Sequence, residues 1–343
     1  MVWRGKIFRV AEYIPNDRKL APVFVMGCHR SGTNLLYDML LSSGGFAIHR
    51  GYLPLYKILI PRFGSMKSRR NRQKILDTWL RSKGFRRSGL DVEPLSTRIL
   101  GECRTGGDFI RVVMESVAAS QHADRWAVYD PDNVLHIERV KRDLPDALFV
   151  HIIRDGRDIA LSLKKMGGFS ALPWDRGPTE SLVATALYWE WMVQKGREDG
   201  RKLGADYTEV RFEELISNPP AVLSRLAKFI EQELDYDHIL KVGIGSVSQP
   251  NTSFKDSSNG AFNPLGRWKQ GFTSEQLAMF EALVGNTLEQ LGYELGTPDR
   301  ALLRRPDSRR MRAAYRAYFD SKLWLKAKTP LGKVFVTKDL SWL

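Results

Sequence analysis

At 343 residues, with 43% hydrophobic and 27% charged side chains, the chain has the length and composition of a folded globular protein with a full core. No apolar run is long enough to cross a bilayer, and Met1-Val2-Trp3-Arg4-Gly5-Lys6 leads into no secretory signal, which argues against a helical membrane protein or a secreted one. Two cysteines exclude a disulfide scaffold and fit a reducing, cytoplasmic setting, while a net charge of +14 calls for anionic partners such as a nucleotide, an acidic acceptor, nucleic acid or lipid headgroups.

Residues 1–20 show no period and read as an irregular lead-in. Pro22 then opens an apolar run, Val23-Phe24-Val25-Met26, that predicts a buried strand ending at Gly27. A polar loop follows, and a helix begins with Leu35, Leu36, Met39 and Leu40 on one face. Strand, glycine-bounded loop and helix together make a phosphate cradle, because loop amides and the helix N-terminus converge. Gly27 and Gly32 have the spacing of a nucleotide-triphosphatase loop, but Thr33 and Asn34 stand where that loop needs Lys and a magnesium-holding Ser or Thr. Arg30 supplies a cation from inside the loop instead, as a planar fork for oxyanions.

Further on, Met66 to Arg87 predicts a strongly basic helix with Ile75, Leu76, Trp79 and Leu80 as its apolar stripe. It reads as a solvated amphipathic helix or as a rim for an acidic acceptor or anionic membrane. Gly107 to Gln121 predicts another helix, and Arg125 to Asn133 a short strand ending in a turn at Tyr129-Asp130-Pro131. Ala147 to Ile153 is a nearly unbroken apolar run, as a strand covered on both faces requires. It ends at Arg154-Asp155-Gly156-Arg157-Asp158, where Asp155 is placed to cap the next helix.

Pro173 to Pro178, with Trp174, reads as a loop or lid, and Thr179 as the cap of a long helix. A strand and helix start follow at 206–215, then a helix at 221–231. Ser246 to Leu265 is Gly/Pro-punctuated and reads as a loop over the site, leading to Gly266-Arg267-Trp268-Lys269. Thr273 and Gln276 form a capping box for a further helix, closed by Gly292. Ser308 to Lys328 predicts a basic helix that packs on the domain, with docking on a membrane surface as its second reading. The six histidines are scattered without ligand spacing, so no metal is expected.

Arg30-Ser31-Gly32-Thr33 resembles the loop that binds the 5′-phosphosulfate in sulfotransferases using 3′-phosphoadenosine-5′-phosphosulfate (PAPS), and the order and spacing of motifs extend the resemblance over roughly residues 22 to 295. It implies an α/β fold, a central mostly parallel sheet flanked by helices and related to P-loop NTPases, over 1–298, with 299–343 a basic helical extension beside it. It implies sulfuryl transfer from PAPS to a hydroxyl or amine of a small-molecule, glycan or lipid acceptor, and no nucleic-acid partner. The cofactor residues carried over are Arg30, Ser31, Gly32, Thr33, Asn34 and Leu35 in the loop, Arg154 and Ser162 as the 3′-phosphate pair, and Gly266 and Arg267 in the covering loop. His49, in the segment that returns to the site in such enzymes, is the candidate base beside Arg30.

Three departures from the family pattern stand out. Tyr129-Asp130-Pro131 occupies the place of a Lys-Thr-Pro step, so no catalytic Lys carries over, and Asp130 or Tyr129 is left as an alternative base or donor. Ala261-Phe262-Asn263 replaces an Arg-Lys-Gly triplet, which leaves Arg267 as the substitute. Leu35 replaces the Trp that stacks on adenine. The rival readings are a P-loop-like kinase or nucleotide hydrolase, and a non-enzymatic binder of anionic membrane or nucleic acid; no nucleic-acid-binding signature accompanies the charge.

Overall fold

The computed structural model describes residues 17–167, 177–250, 263–303 and 306–335. The lid reading with Trp174, the Ala261-Phe262 pair and most of the expected loop at 246–265 lie outside them. Four strands form one parallel sheet: β1 (Val23–Gly27), β2 (Ala127–Tyr129), β3 (Leu148–Ile153) and β4 (Tyr207–Arg211), in the order β2-β1-β3-β4. The register pairs Val25 with Tyr129 and Gly27 with Ile152, so β1, β2 and β3 end at one rim.

Alternation along the strands supplies two cores. Phe24 and Met26 of β1, with Phe149 and Ile153 of β3, enter one hydrophobic cluster; Val23, Val25, Leu148, Val150 and Ile152 enter the other. Both faces are therefore covered, as the unbroken apolar run of β3 predicts.

Between β1 and β2 come α1 (Thr33–Ser42), a π-helical turn at Leu55–Leu59, α2 (Ile60–Phe63), α3 (Arg69–Leu80), α4 (Lys83–Arg86), α5 (Val92–Glu102) and α6 (Gly106–Gln121). The basic helix expected over 66–87 is thus two helices. Ser82 interrupts it by accepting a hydrogen bond from the Phe85 amide, which caps the second piece. After β2, α7 (Ile137–Asp143) leads to β3, and α8 (Gly156–Lys165) and α9 (Pro178–Arg201) precede β4. The expected Thr179 cap is corrected: Gly177 is the N-cap and Pro178 opens α9, a position where proline's missing N–H costs nothing. Helices α10 (Phe212–Ser217), α11 (Pro219–Ile230) and α12 (Tyr236–Val242) follow β4.

The C-terminal part contributes α13 (Trp268–Gly271), α14 (Ser274–Gln290), α15 (Pro306–Lys328) and α16 (Gly332–Phe335). The Thr273–Gln276 capping box is present. Helix α15 packs on α9: Phe319 lies against Tyr188 and Trp191, Trp191 Nε1 donates to Asp320, and Arg312 grips Glu190 with two hydrogen bonds. Among the described residues, no helix is long and apolar enough to cross a membrane.

Candidate active site

The site is built at the rim where β1, β2 and β3 end, the place where open parallel sheets collect ligands. The loop after β1 turns tightly: the Ser31 amide donates to Cys28 O at 3.1 Å, and Arg30 sits at φ 72°, a left-handed conformation uncommon outside glycine. Gly32 caps α1 at φ 96°. A Cβ there would stand 2.4 Å from the Phe212 ring, so only glycine lets the loop lie this close to α10.

The two anion motifs meet. Arg30 Nε donates to Ser162 Oγ on α8 at 2.9 Å. Arg154, at the end of β3, donates from Nη1 to Arg30 O at 3.0 Å and from Nη2 to Pro264 O at 2.7 Å, with its guanidinium 4.4 Å from the Phe212 ring centroid. Burial lowers the pKa of both arginines, and for Arg154 the neighbouring Arg30 and Arg267 add to it. Ser31 Oγ and Arg154 Nε are buried and lack a hydrogen-bond partner among the described residues. Orphaned polar atoms among converging cations suit a polyanion, which would supply both the missing partners and the missing charge.

The rest of the Arg-Asp-Gly-Arg-Asp motif is framework. Asp155 caps α8 by accepting from the Arg157 amide at 2.9 Å, and its own N–H donates to Glu213. The Arg157 side chain is buried, bonded to Asp155, Glu281 and Glu294 O, and stacked 3.7 Å from the Trp268 ring centroid. Asp158 accepts from the Gly266 amide at 2.9 Å and the Trp268 amide at 3.0 Å. This carboxylate ties the Gly266-Arg267 loop to the start of α8 and brings Arg267 into the field of Arg154.

On the β2 side lies a different chemistry. Asp130 follows that strand, accepts from the Asp132 amide at 3.0 Å and bonds the Tyr52 hydroxyl. Asp132 Oδ2 takes hydrogen bonds from His29 Nε2, at 3.1 Å, and from Lys57 Nζ. Burial and the adjacent Asp132 push the Asp130 carboxyl well up, whereas His29 and Lys57 hold Asp132 below the usual carboxylate range against its own burial. Two neighbouring carboxyls driven apart in this way are an arrangement that can hold and pass a proton. His29 belongs to the same loop as Arg30, so one loop joins the two halves.

The model of the sulfotransferase family matches residues 22–236, which spans both anion motifs, the acid cluster and all four strands. The chain belongs to the sulfotransferase family. No curated protein sequence matches it. Solved structures similar to this sulfotransferase include sulfotransferase STF9 from Mycobacterium avium, at 15% identity and TM-score 0.47, covering 80% of this chain and 78% of that one. The sulfotransferase domain from the curacin biosynthetic pathway shows 15% identity and TM-score 0.47 over 80% of this chain and 99% of its own. Retinol dehydratase in complex with androsterone and the inactive cofactor PAP shows 14% identity and TM-score 0.39, over 83% and 84%.

Of the residues singled out from sequence, Arg30, Ser31, Gly32, Arg154 and Ser162 come together directly, with Gly266 and Arg267 attached through Asp158. Thr33 is buried; Asn34 and Leu35 are half-buried on the first turn of α1, where Leu35 packs against the second core. His49 is placed differently. It is 2% exposed, its two ring nitrogens have no hydrogen-bond partner among the described residues, and its ring is packed against Gly51. Burial and Arg87 lower its pKa to about 4. Lys57, Asp132 and His29 were not singled out from sequence. Lys57 arrives on a π-helical turn that carries no motif, although His29 inside the loop and the Asp130-x-Asp132 pair were visible signals. Among the described residues no cluster of metal ligands occurs.

Proposed function

We propose that the protein transfers the sulfuryl group of PAPS to an acceptor hydroxyl or amine and releases adenosine 3′,5′-bisphosphate (PAP). The observation that carries this reading is the convergence of Arg30 and Arg154 on Ser162 and the β1 loop, with Arg267 in the field of Arg154 and with Ser31 Oγ and Arg154 Nε lacking partners among the described residues. A donor with phosphates at both ends of one adenosine satisfies two such anchor points, where a single phosphate would satisfy one. PAPS brings an activated sulfuryl group; everything else falls to the chain.

In this reading the loop amides of residues 31–34 and the N-terminus of α1 bind the 5′-phosphosulfate, and Arg154 with Ser162 binds the 3′-phosphate. The acceptor oxygen or nitrogen forms its bond to sulfur while the bond from sulfur to the 5′-phosphate oxygen breaks. The electron pair moves onto that phosphate, and Arg30 meets the growing charge from a fixed position. Attack comes from the side opposite the leaving phosphate, which puts the acceptor toward β2 and its acid cluster.

The acceptor's proton goes to His29. Its Nε2–H is donated to Asp132, which leaves the Nδ1 lone pair to take a proton, and at 36% side-chain exposure the ring is reachable. Lys57, 34% exposed at the same carboxylate, adds a cation beside the Asp130 turn, where no Lys-Thr-Pro lysine is present. Compared with His49, His29 has both an orienting partner and access.

Two measurements test the reading. Calorimetric titration should show PAP binding without magnesium, weakened at least about tenfold in Arg154→Ala, a loss in the range for a hydrogen bond to a charged group. Labelled sulfate from PAPS should enter a product in a lysate of the native host, and Asp132→Asn should lower the rate without weakening PAP binding. Magnesium-dependent ATP binding with no affinity for PAP would instead favour the kinase reading.

A further inference from the structure

Two basic segments, far apart in sequence, form one surface. Helix α16 packs on α2: a Cβ on Gly332 would lie 2.8 Å from Pro61 O and 2.6 Å from Lys326 O, and Lys333 Cε lies 3.9 Å from the Cβ position of Gly64. Residues 59–74 and 321–335 contain no acidic residue at all. Lys67, Arg69, Arg70, Lys328 and Lys333 are exposed, and none pairs with a carboxylate among the described residues.

Folding does not account for this charge. Arg69 and Arg70 occupy the first turn of α3, where the helix dipole already presents positive potential, and that turn has neither an acidic residue nor a side-chain cap. Arg72 does serve the fold: it is buried and donates to the carbonyls of Met66, Lys67 and Leu100. Exposed apolar side chains accompany the others: Leu331 and Val334 flank Lys333, with exposures of 44% and 63%, and Trp324, at 58%, stands one turn before Lys328.

We propose that this α2–α3–α16 face docks on an anionic lipid bilayer. Cations in the headgroup region beside Leu, Val and Trp at the level of the acyl boundary are what such a surface binds, and over 59–74 and 321–335 no acid opposes them, Asp77 further along α3 being bonded to Gln73. A nucleic-acid duplex would use the charge but leave the apolar residues in water. The inference is independent of the donor or the reaction.

Flotation of the full chain with vesicles tests it. Binding to phosphatidylcholine vesicles carrying phosphatidylserine is expected, with little to pure phosphatidylcholine, and a fall of about tenfold or more on going from low to high salt. The variant Lys67→Glu/Arg70→Glu/Lys333→Glu should lose binding by at least about tenfold while keeping its melting temperature. Trp324→Ala/Val334→Ser should weaken it as well, while the salt response persists. The proposal falls if phosphatidylserine vesicles leave the protein at the bottom of the gradient, or if the charge-reversed variant floats like the original. It also falls if the face retains duplex DNA and ignores lipid.

Discussion

Arg30 Nε and Ser162 Oγ lie 2.9 Å apart although 132 positions separate them in the chain. The loop after β1 and the first turns of α8 are thereby one structure, and the residues assigned to opposite ends of the donor share a hydrogen bond. The two should differ in what they cost. Arg30→Ala removes the cation facing the leaving phosphate and should slow turnover by about 2–4 kcal/mol in barrier height. Ser162→Ala removes one neutral donor and should weaken PAP by about 1 kcal/mol, visible by calorimetry, with a smaller effect on turnover. Full turnover in Arg30→Ala would remove the basis of the mechanism.

Gly32 is a second point of sensitivity. Its φ of 96° and the 2.4 Å approach of a Cβ to Phe212 act together, so Gly32→Ala is strained by backbone and by packing at once. The expected result is a loss of PAP binding and a fall of several degrees in melting temperature. Gly32→Ala/Phe212→Leu should recover part of the stability, since it relieves the clash but leaves the backbone strain. Complete rescue would show that packing alone set the requirement.

What could be read from the sequence, and what could not, divides along the range of the interactions. The two strand-loop-helix motifs are local, so β1, β3 and their anion loops were visible from periodicity and residue type, and so was the Thr273–Gln276 capping box. The link from Asp158 to the Gly266 and Trp268 amides spans more than a hundred positions and leaves no local trace. The same holds for Lys57, which reaches Asp132 from a π-helical turn. His49 shows the reverse limit: its place in the chain suggested chemistry, while its burial against Gly51, with both ring nitrogens lacking a partner among the described residues, is a tertiary fact. The basic stretch at 66–87 was legible as charge, but its joining to the C-terminal helix depends on a tertiary contact.

Arg157, the second arginine of the β3 motif, should behave as a framework residue. It is bonded to Asp155 and Glu281, all three side chains being buried, so Arg157→Ala strands two carboxylates. A loss of about 3–5 kcal/mol in unfolding free energy is expected by denaturant titration. Arg157→Met/Glu281→Gln, which removes one of the two stranded charges and keeps an acceptor for the Gly296 and Thr297 amides, should cost less than the single change. If Arg157→Ala kept its stability and lost only PAP affinity, the residue would belong to the site instead.

Three buried histidines tie stability to pH. Burial pushes His49 and His136 down to about 4 and His151 to about 3. Their folded-state values lie below that of an unfolded chain, so the unfolded state binds more protons as acid is added. Each histidine's contribution is intact above about pH 6.5 and is lost as pH falls toward its folded value, with a slope approaching about 1.4 kcal/mol per pH unit. Asp130, raised by burial and Asp132, acts in the opposite sense, because its folded form takes up a proton before the unfolded one does. Asp158 and Glu115 are raised too, by burial first, and act with Asp130, but the three histidines are shifted over most of this range, so melting temperature should still fall between pH 6.5 and 4.5. His49→Gln keeps a polar side chain without the titration, so its melting temperature should fall less steeply over that interval than the original's. Parallel curves for the two proteins would mean that His49 is not held neutral by burial.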